Sequence, residues 1–223
     1  MRLKDRFVIH TSKYFYLTCL LLSYFILTST INTEDSAIVP MSMIFSAMIL
    51  LPMITLLDKN IISRLIIGLT IVMVVSHMLI TYLPNDTALY ILFYSTDILF
   101  LSLGSVTILH SISQNKDITA DTLFGAVCGY LFIGLSWSFI FLLINVINPD
   151  AFTTALTSTS LHSSTLNATY YSFTTLTTLG YGDILPVSYL ARTFSWLEAV
   201  VGQIYLAVWI SQLVGLRIAQ NKR

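Results

Sequence analysis

Six apolar stretches, at 14–31, 37–57, 61–83, 87–109, 123–147 and 189–216, take up most of this chain and leave little of it to form anything else. A helix needs roughly 20 apolar residues to cross about 30 Å of hydrocarbon, and most of the six reach that length. Within lipid a single segment can satisfy its own backbone only as a helix. The breaks at 32–36, 58–60 and 84–86 are short and rich in turn-forming or polar residues. With 56% hydrophobic and 10% charged residues, no sizeable soluble domain remains. The expected fold is an all-α membrane protein with six transmembrane helices.

Basic residues mark the loops that stay in the cytoplasm. Arg2, Lys4, Arg6, Lys13, Lys59, Arg64, Lys116, Arg217, Lys222 and Arg223 fall on one side when both termini are cytoplasmic, and Arg192 alone of the eleven faces out. That agreement needs an even number of spans, so charge bias and span count support each other. A signal peptide is the alternative for the first span, but no small-residue cleavage site follows it. Cys19 and Cys128 lie inside spans and suggest no disulfide framework. Eleven basic residues balance eleven acidic ones, which gives no sign of a nucleic-acid partner.

Only the connection between the fifth and sixth spans is long. Polar residues from 148 to 167 lead into 168–177, which is too short to span and suits a re-entrant helix held by protein or water. The next residues, Thr178-Leu179-Gly180-Tyr181-Gly182-Asp183, should be extended, with Gly180 and Gly182 admitting positive φ. Alternation of that kind turns successive carbonyls to one side, where rings of oxygens from four copies replace the water shell of a cation. One chain supplies one strand, so the mechanism requires a tetramer. The re-entrant helix would direct its negative C-terminal end at the central cavity.

Residues 170–183, Tyr-Tyr-Ser-Phe-Thr-Thr-Leu-Thr-Thr-Leu-Gly-Tyr-Gly-Asp, resemble the pore helix and signature filter of the potassium channel superfamily. From 121 to 216, including Leu197-Glu198-Ala199-Val200-Val201-Gly202-Gln203, the chain is similar to prokaryotic two-helix pore modules. The resemblance implies that Thr178, Leu179, Gly180 and Tyr181 coordinate K⁺ ions, with Gly182 shaping the strand and Asp183 bracing the outer mouth. It implies a homotetramer among membrane lipids in a prokaryotic plasma membrane, with no cofactor beyond the ions in the filter. Leu179 stands where the family usually has Val or Ile, which keeps the carbonyl and changes the packing behind it. Tyr170 and Tyr171 occupy positions that are often Trp and leave phenol hydroxyls to bond the supporting residues.

Several residues outside the motif carry expectations of their own. Glu198 lies about ten residues into the sixth span, roughly 15 Å deep at 1.5 Å per residue, where an acid must be paired or wet. It is expected to bond hydroxyls of the re-entrant helix such as Thr174 or Thr175. Gly202 is either a hinge of an inner-helix gate or a point of close packing. Gly125 and Gly129 form a small-xxx-small pair that favours packing. Asp97 and His77, at similar depth in the fourth and third spans, are candidates for a buried pair, functional or structural. Asn167-Ala168-Thr169 is a glycosylation sequon placed where the re-entrant helix begins.

Two domains are expected: 1–116, a four-helix membrane domain, and 117–223, a pore domain. The fourth span has no Arg or Lys, so it lacks the repeated arginines of a voltage sensor. Pro40 and Pro52 are possible kink sites. The chain ends seven residues after Leu216, which leaves ligand gating to the membrane domain or to another protein. Competing readings are a subunit of a potassium uptake transporter and a non-conducting regulatory subunit. An enzyme is not expected: Ser105 and His110 lack the frame of an intramembrane protease, and His10, His77, His110 and His162 form no ligand-spaced cluster.

Overall fold

The computed structural model describes residues 13–30, 61–83, 86–114, 119–153, 156, 161–212, 214, 215 and 218. The apolar stretch at 37–57, with Pro40 and Pro52, lies outside the described residues, as do His10 and all the basic residues expected on the cytoplasmic side except Lys13 and Arg64. Among the described residues there are six α-helices: α1 (Lys13–Thr30), α2 (Ile61–Tyr82), α3 (Thr87–Gln114), α4 (Ala120–Ile147), α5 (Leu161–Leu176) and α6 (Tyr189–Tyr205). A 3₁₀ turn at Pro149–Ala151 follows α4, and a π-helical turn at Leu206–Ile210 follows α6. Among the described residues, α3 and α4 are the two helices long and apolar enough by themselves to cross a membrane. The described residues form an all-α structure.

Helix α4 is the axis of the fold. It begins at Thr119, whose hydroxyl caps the Thr122 amide while the Thr122 hydroxyl returns the bond, so two of the unpaired donors at its start are satisfied reciprocally. The five residues between α3 and α4 are few enough to force an antiparallel hairpin. Partners confirm the direction: Ile112 meets Gly125, Leu109 meets Gly129, the Ser105 hydroxyl donates to the Gly129 carbonyl, and Tyr94 packs on Phe139. Gly125 and Gly129 are thus close-packing positions; a Cβ on Gly125 would stand 2.8 Å from Ile112.

The first helix runs parallel to α4. Asp121 Oδ1 accepts the amides of Tyr14 and Phe15 at 3.0 and 3.3 Å, so a carboxylate of α4 caps the start of α1, where the free amides and the helix dipole favour negative charge. One turn on, Thr18 lies 2.9 Å from the Cys128 sulfur and Phe15 packs edge-on against Phe124. Helices α5 and α6 both oppose α4 in direction: Tyr171 meets Phe141 while Leu176 meets Tyr130, and Phe194 meets Trp137 while Tyr205 meets Ala126.

The buried positions of α6 are Ala191, Ser195, Glu198, Gly202 and Tyr205. Their alternating spacing of four and three keeps one stripe against α4 and α5. Trp196, Val200, Ile204 and Val208, spaced by four, form an exposed apolar stripe along α6 and the turn that follows it.

Candidate functional site

Helix α5 would leave its last four carbonyls without partners, and this chain finds a donor for each. Phe173 O accepts from the Thr177 amide at 3.1 Å, Thr174 O from the Gly180 amide at 3.1 Å and Thr175 O from the Thr178 amide at 2.9 Å. Leu176 O receives the Tyr130 hydroxyl at 3.4 Å. The chain therefore turns tightly out of the helix and leaves as an irregular strand.

Along that strand φ is positive at every second residue: +59° at Thr178, +52° at Gly180 and +81° at Gly182. The two glycines adopt this region at no steric cost, as their residue type predicts. Thr178 does not; a β-branched residue there is strained. Thr178 was expected in the strand from the sequence, but its positive φ was not legible there, because nothing about a threonine announces a left-handed backbone. Gln203 Nε2 lies 3.4 Å from the Thr178 hydroxyl, a contact from α6 that the sequence signalled only by the position of Gln203 beside Gly202. The side chains of Leu179 and Tyr181 are 56% and 68% exposed, so this chain alone covers neither.

The outer end of the strand is braced by tyrosine. Tyr170 donates its hydroxyl to Asp183 Oδ2 at 2.7 Å, and its ring stacks on Tyr181 with an interplanar angle of 4°. That bond holds the Asp183 carboxyl below its ordinary value and pushes the Tyr170 phenol up to about 12, because the carboxylate beside it disfavours a phenolate. Tyr171 faces the other way. Its hydroxyl lies 2.7 Å from Ser195 Oγ, and its ring is wedged between Phe141 and Phe152. Beyond the strand, Thr153 and Leu185 pair through the backbone, as do Val187 and Ala151, which ties the connection after α4 to the approach to α6.

Behind the strand sits a three-helix node. Glu198 is fully buried; its Oε1 accepts the Ser172 hydroxyl at 2.5 Å, and Oε2 has no hydrogen-bond partner among the described residues. Ser172 Oγ also lies 2.7 Å from Gly134 O. This corrects one expectation, since Thr174 and Thr175 do not reach Glu198: both hydroxyls donate to the Tyr171 carbonyl one turn back, a local bond that threonines in helices readily make. Ser172 has one hydrogen for two acceptors. Both bonds are made together when the carboxyl oxygen carries a proton and donates to Ser172, which then donates to Gly134.

Gly202 lies inside α6, not at a break in it. A Cβ there would be 2.0 Å from Leu176 O, so the close-packing alternative is the one seen in this conformation. Asp97 and His77 each have their own setting. The His77 ring bonds through Nδ1 to Met73 O at 3.0 Å and stands edge-on to Phe93. Asp97 is buried, with Oδ2 unpartnered among the described residues. Asn167 of the sequon lies within α5.

A family model described as an ion channel matches residues 141–216, from the last two turns of α4 through α6 and the residues that follow it. The chain is similar to Protein LctB of Bacillus caldotenax, with 31% identity over 116 residues that cover 50% of this chain and 86% of that protein. No solved structure matches the chain.

Proposed function

The chain belongs to the ion channel family, and from that premise we propose that it is one subunit of a tetrameric potassium-selective channel conducting passively through 178–183. The observation that carries this reading is the alternation of positive φ at Thr178, Gly180 and Gly182. Oxygens presented by four such strands around an axis replace the hydration shell of K⁺, with Thr178, Leu179, Gly180 and Tyr181 as the coordinating residues. Gly182 and the Tyr170–Asp183 bond hold the outer end.

Exposure supports assembly. Leu179 and Tyr181, and the apolar stripe from Trp196 to Val208 on α6, lie uncovered in one chain, and three further copies would bury them. Direction is compatible with the six spans expected from the sequence: α1 and α4 run one way and α3 and α6 the other. With that even count, both termini are read as lying in the cytoplasm of a prokaryotic cell. The Glu198–Ser172–Gly134 node and the Gly202–Leu176 contact keep α5 in register behind the filter. No arginine-driven voltage response is expected of α3, and the transporter and regulatory-subunit readings stay secondary because a single repeat carries the full filter motif.

Purified protein in liposomes tests the proposal. We expect K⁺ flux well above Na⁺ flux, blocked by barium and abolished in Gly180→Ala, where a Cβ meets a φ of +52°. Equal K⁺ and Na⁺ flux would refute selectivity at 178–183.

A further inference from the structure

Helix α1 touches the helix that carries the strand. Phe25 packs edge-on against Phe173 with ring centroids 5.7 Å apart, although α4 is the principal neighbour of both. The contact exists because of Gly134. A Cβ on that residue would come within 2.7 Å of the Phe173 ring, so the missing side chain is a notch through which Phe173 crosses the face of α4. The Gly134 carbonyl is used as well, by the Ser172 hydroxyl. Two consecutive residues of α5 thus lock onto one glycine.

The far side of Phe173 leads directly to the strand. Its carbonyl accepts both the amide and the hydroxyl of Thr177, at 3.1 and 2.6 Å, and these bonds make the turn from which 178–183 departs. Helix α1 is itself anchored at its other end by Asp121 and held along α4 by Thr18 and Cys128. Phe25 is therefore presented from a fixed base, one ring contact away from the residue whose carbonyl makes the turn.

We propose that Phe25 is a positioning residue for the filter: α1 sets the placement of the 177–183 strand from behind, through Phe173 seated in the Gly134 notch. The proposal rests on the channel reading for its functional meaning, and gives the first helix a specific role in conduction. Phe25 touches no ion and acts only through Phe173.

Hydrogen exchange of the full-length protein, read by mass spectrometry on peptides covering 174–183, tests it without a current. In Phe25→Ala, exchange over 174–183 should rise roughly two- to tenfold, the loss expected for one aromatic pair, while the middle of α4 stays at the wild-type rate. Phe25→Tyr, which keeps the ring, should restore the wild-type rate, and Leu27→Ala, on an exposed position of α1, should not alter it. Should Phe25→Ala fail to fold, Phe25→Leu provides the same comparison with a smaller loss of contact. Unchanged exchange over 174–183, or loosening spread equally over α4 and not reversed by Tyr, would overturn the proposal. Failure of the wild-type chain to pass K⁺ would instead defeat the channel reading, and the exchange comparison would still decide whether α1 holds the strand.

Discussion

Replacing Gly202 by alanine places a methyl group against the backbone at the end of α5. The added Cβ would lie 2.0 Å from Leu176 O and 3.0 Å from its carbonyl carbon, whereas ordinary contact begins at 3.4 Å. Helices α5 and α6 must part by about 1.4 Å, the difference between those two separations. The obstacle is main chain whose carbonyl also bonds Tyr130, so no side chain can swing aside. Overpacking of this kind costs about 1–3 kcal/mol, and a backbone obstacle belongs at the upper end. For a chain of this size about 3 kcal/mol lowers Tm by roughly 6–12 °C. Thermal melting of the purified protein, with K⁺ flux measured on the same preparation, checks the figure. Gly68→Ala is the control, because nothing lies within 4 Å of its Cβ and alanine is the better helix former. A Gly202→Ala protein that melts and conducts like wild type would refute the close approach.

Three further outcomes follow from the same geometry. Glu198→Gln should retain stability and flux, because a side-chain amide can donate to Ser172 as a protonated carboxyl would, whereas Glu198→Ala should lose about 1–3 kcal/mol by leaving buried polar groups unpaired; equal losses in thermal melting would contradict the node. Asp121→Ala should cost about 1 kcal/mol, the usual worth of a helix cap, and raise hydrogen exchange at the first turn of α1; protection that stays the same would show that the cap carries no stability. Tyr170→Phe should bring the Asp183 carboxyl back up toward its ordinary value of 3.8, as read by carboxyl-carbon NMR. Because the folded-state value is depressed, the stabilisation from this bond is complete above 3.8 and disappears as pH falls through the lower folded value; a carboxyl that titrates alike in both proteins would show that Tyr170 is not its partner.

Legibility in the sequence followed the locality of the cause. Gly180 and Gly182 announced their backbone by residue type, and Tyr170 and Tyr171, standing where the family often has Trp, carried phenols expected to bond supporting residues, as Tyr170 does with Asp183 and Tyr171 with Ser195. The burial of Glu198 was legible as well, since its depth in an apolar stretch can be counted. Its partner was not: Ser172, Thr174 and Thr175 are all hydroxyls on one short helix, and choosing among them needs the rotation of α5 against α6. Gly202 was ambiguous for a related reason, because a glycine in mid-helix reads alike as hinge or contact until a neighbour is placed on it. Gly134 and Phe173 left no local signal. Their meeting depends on the register of α4 against α1 and α5, which is a tertiary property.

Selection of potassium at 178–183 has a direct electrical signature. Reconstitution into a planar bilayer with a tenfold K⁺ gradient, balanced by Na⁺ so that total salt is equal on both sides, tests it most directly. A potassium-selective channel reverses near the K⁺ equilibrium potential, about 59 mV in magnitude for one charge and a tenfold ratio, and a value close to that limit is expected here. A reversal potential near zero, with open channels present, would mean that K⁺ and Na⁺ pass alike and would contradict it.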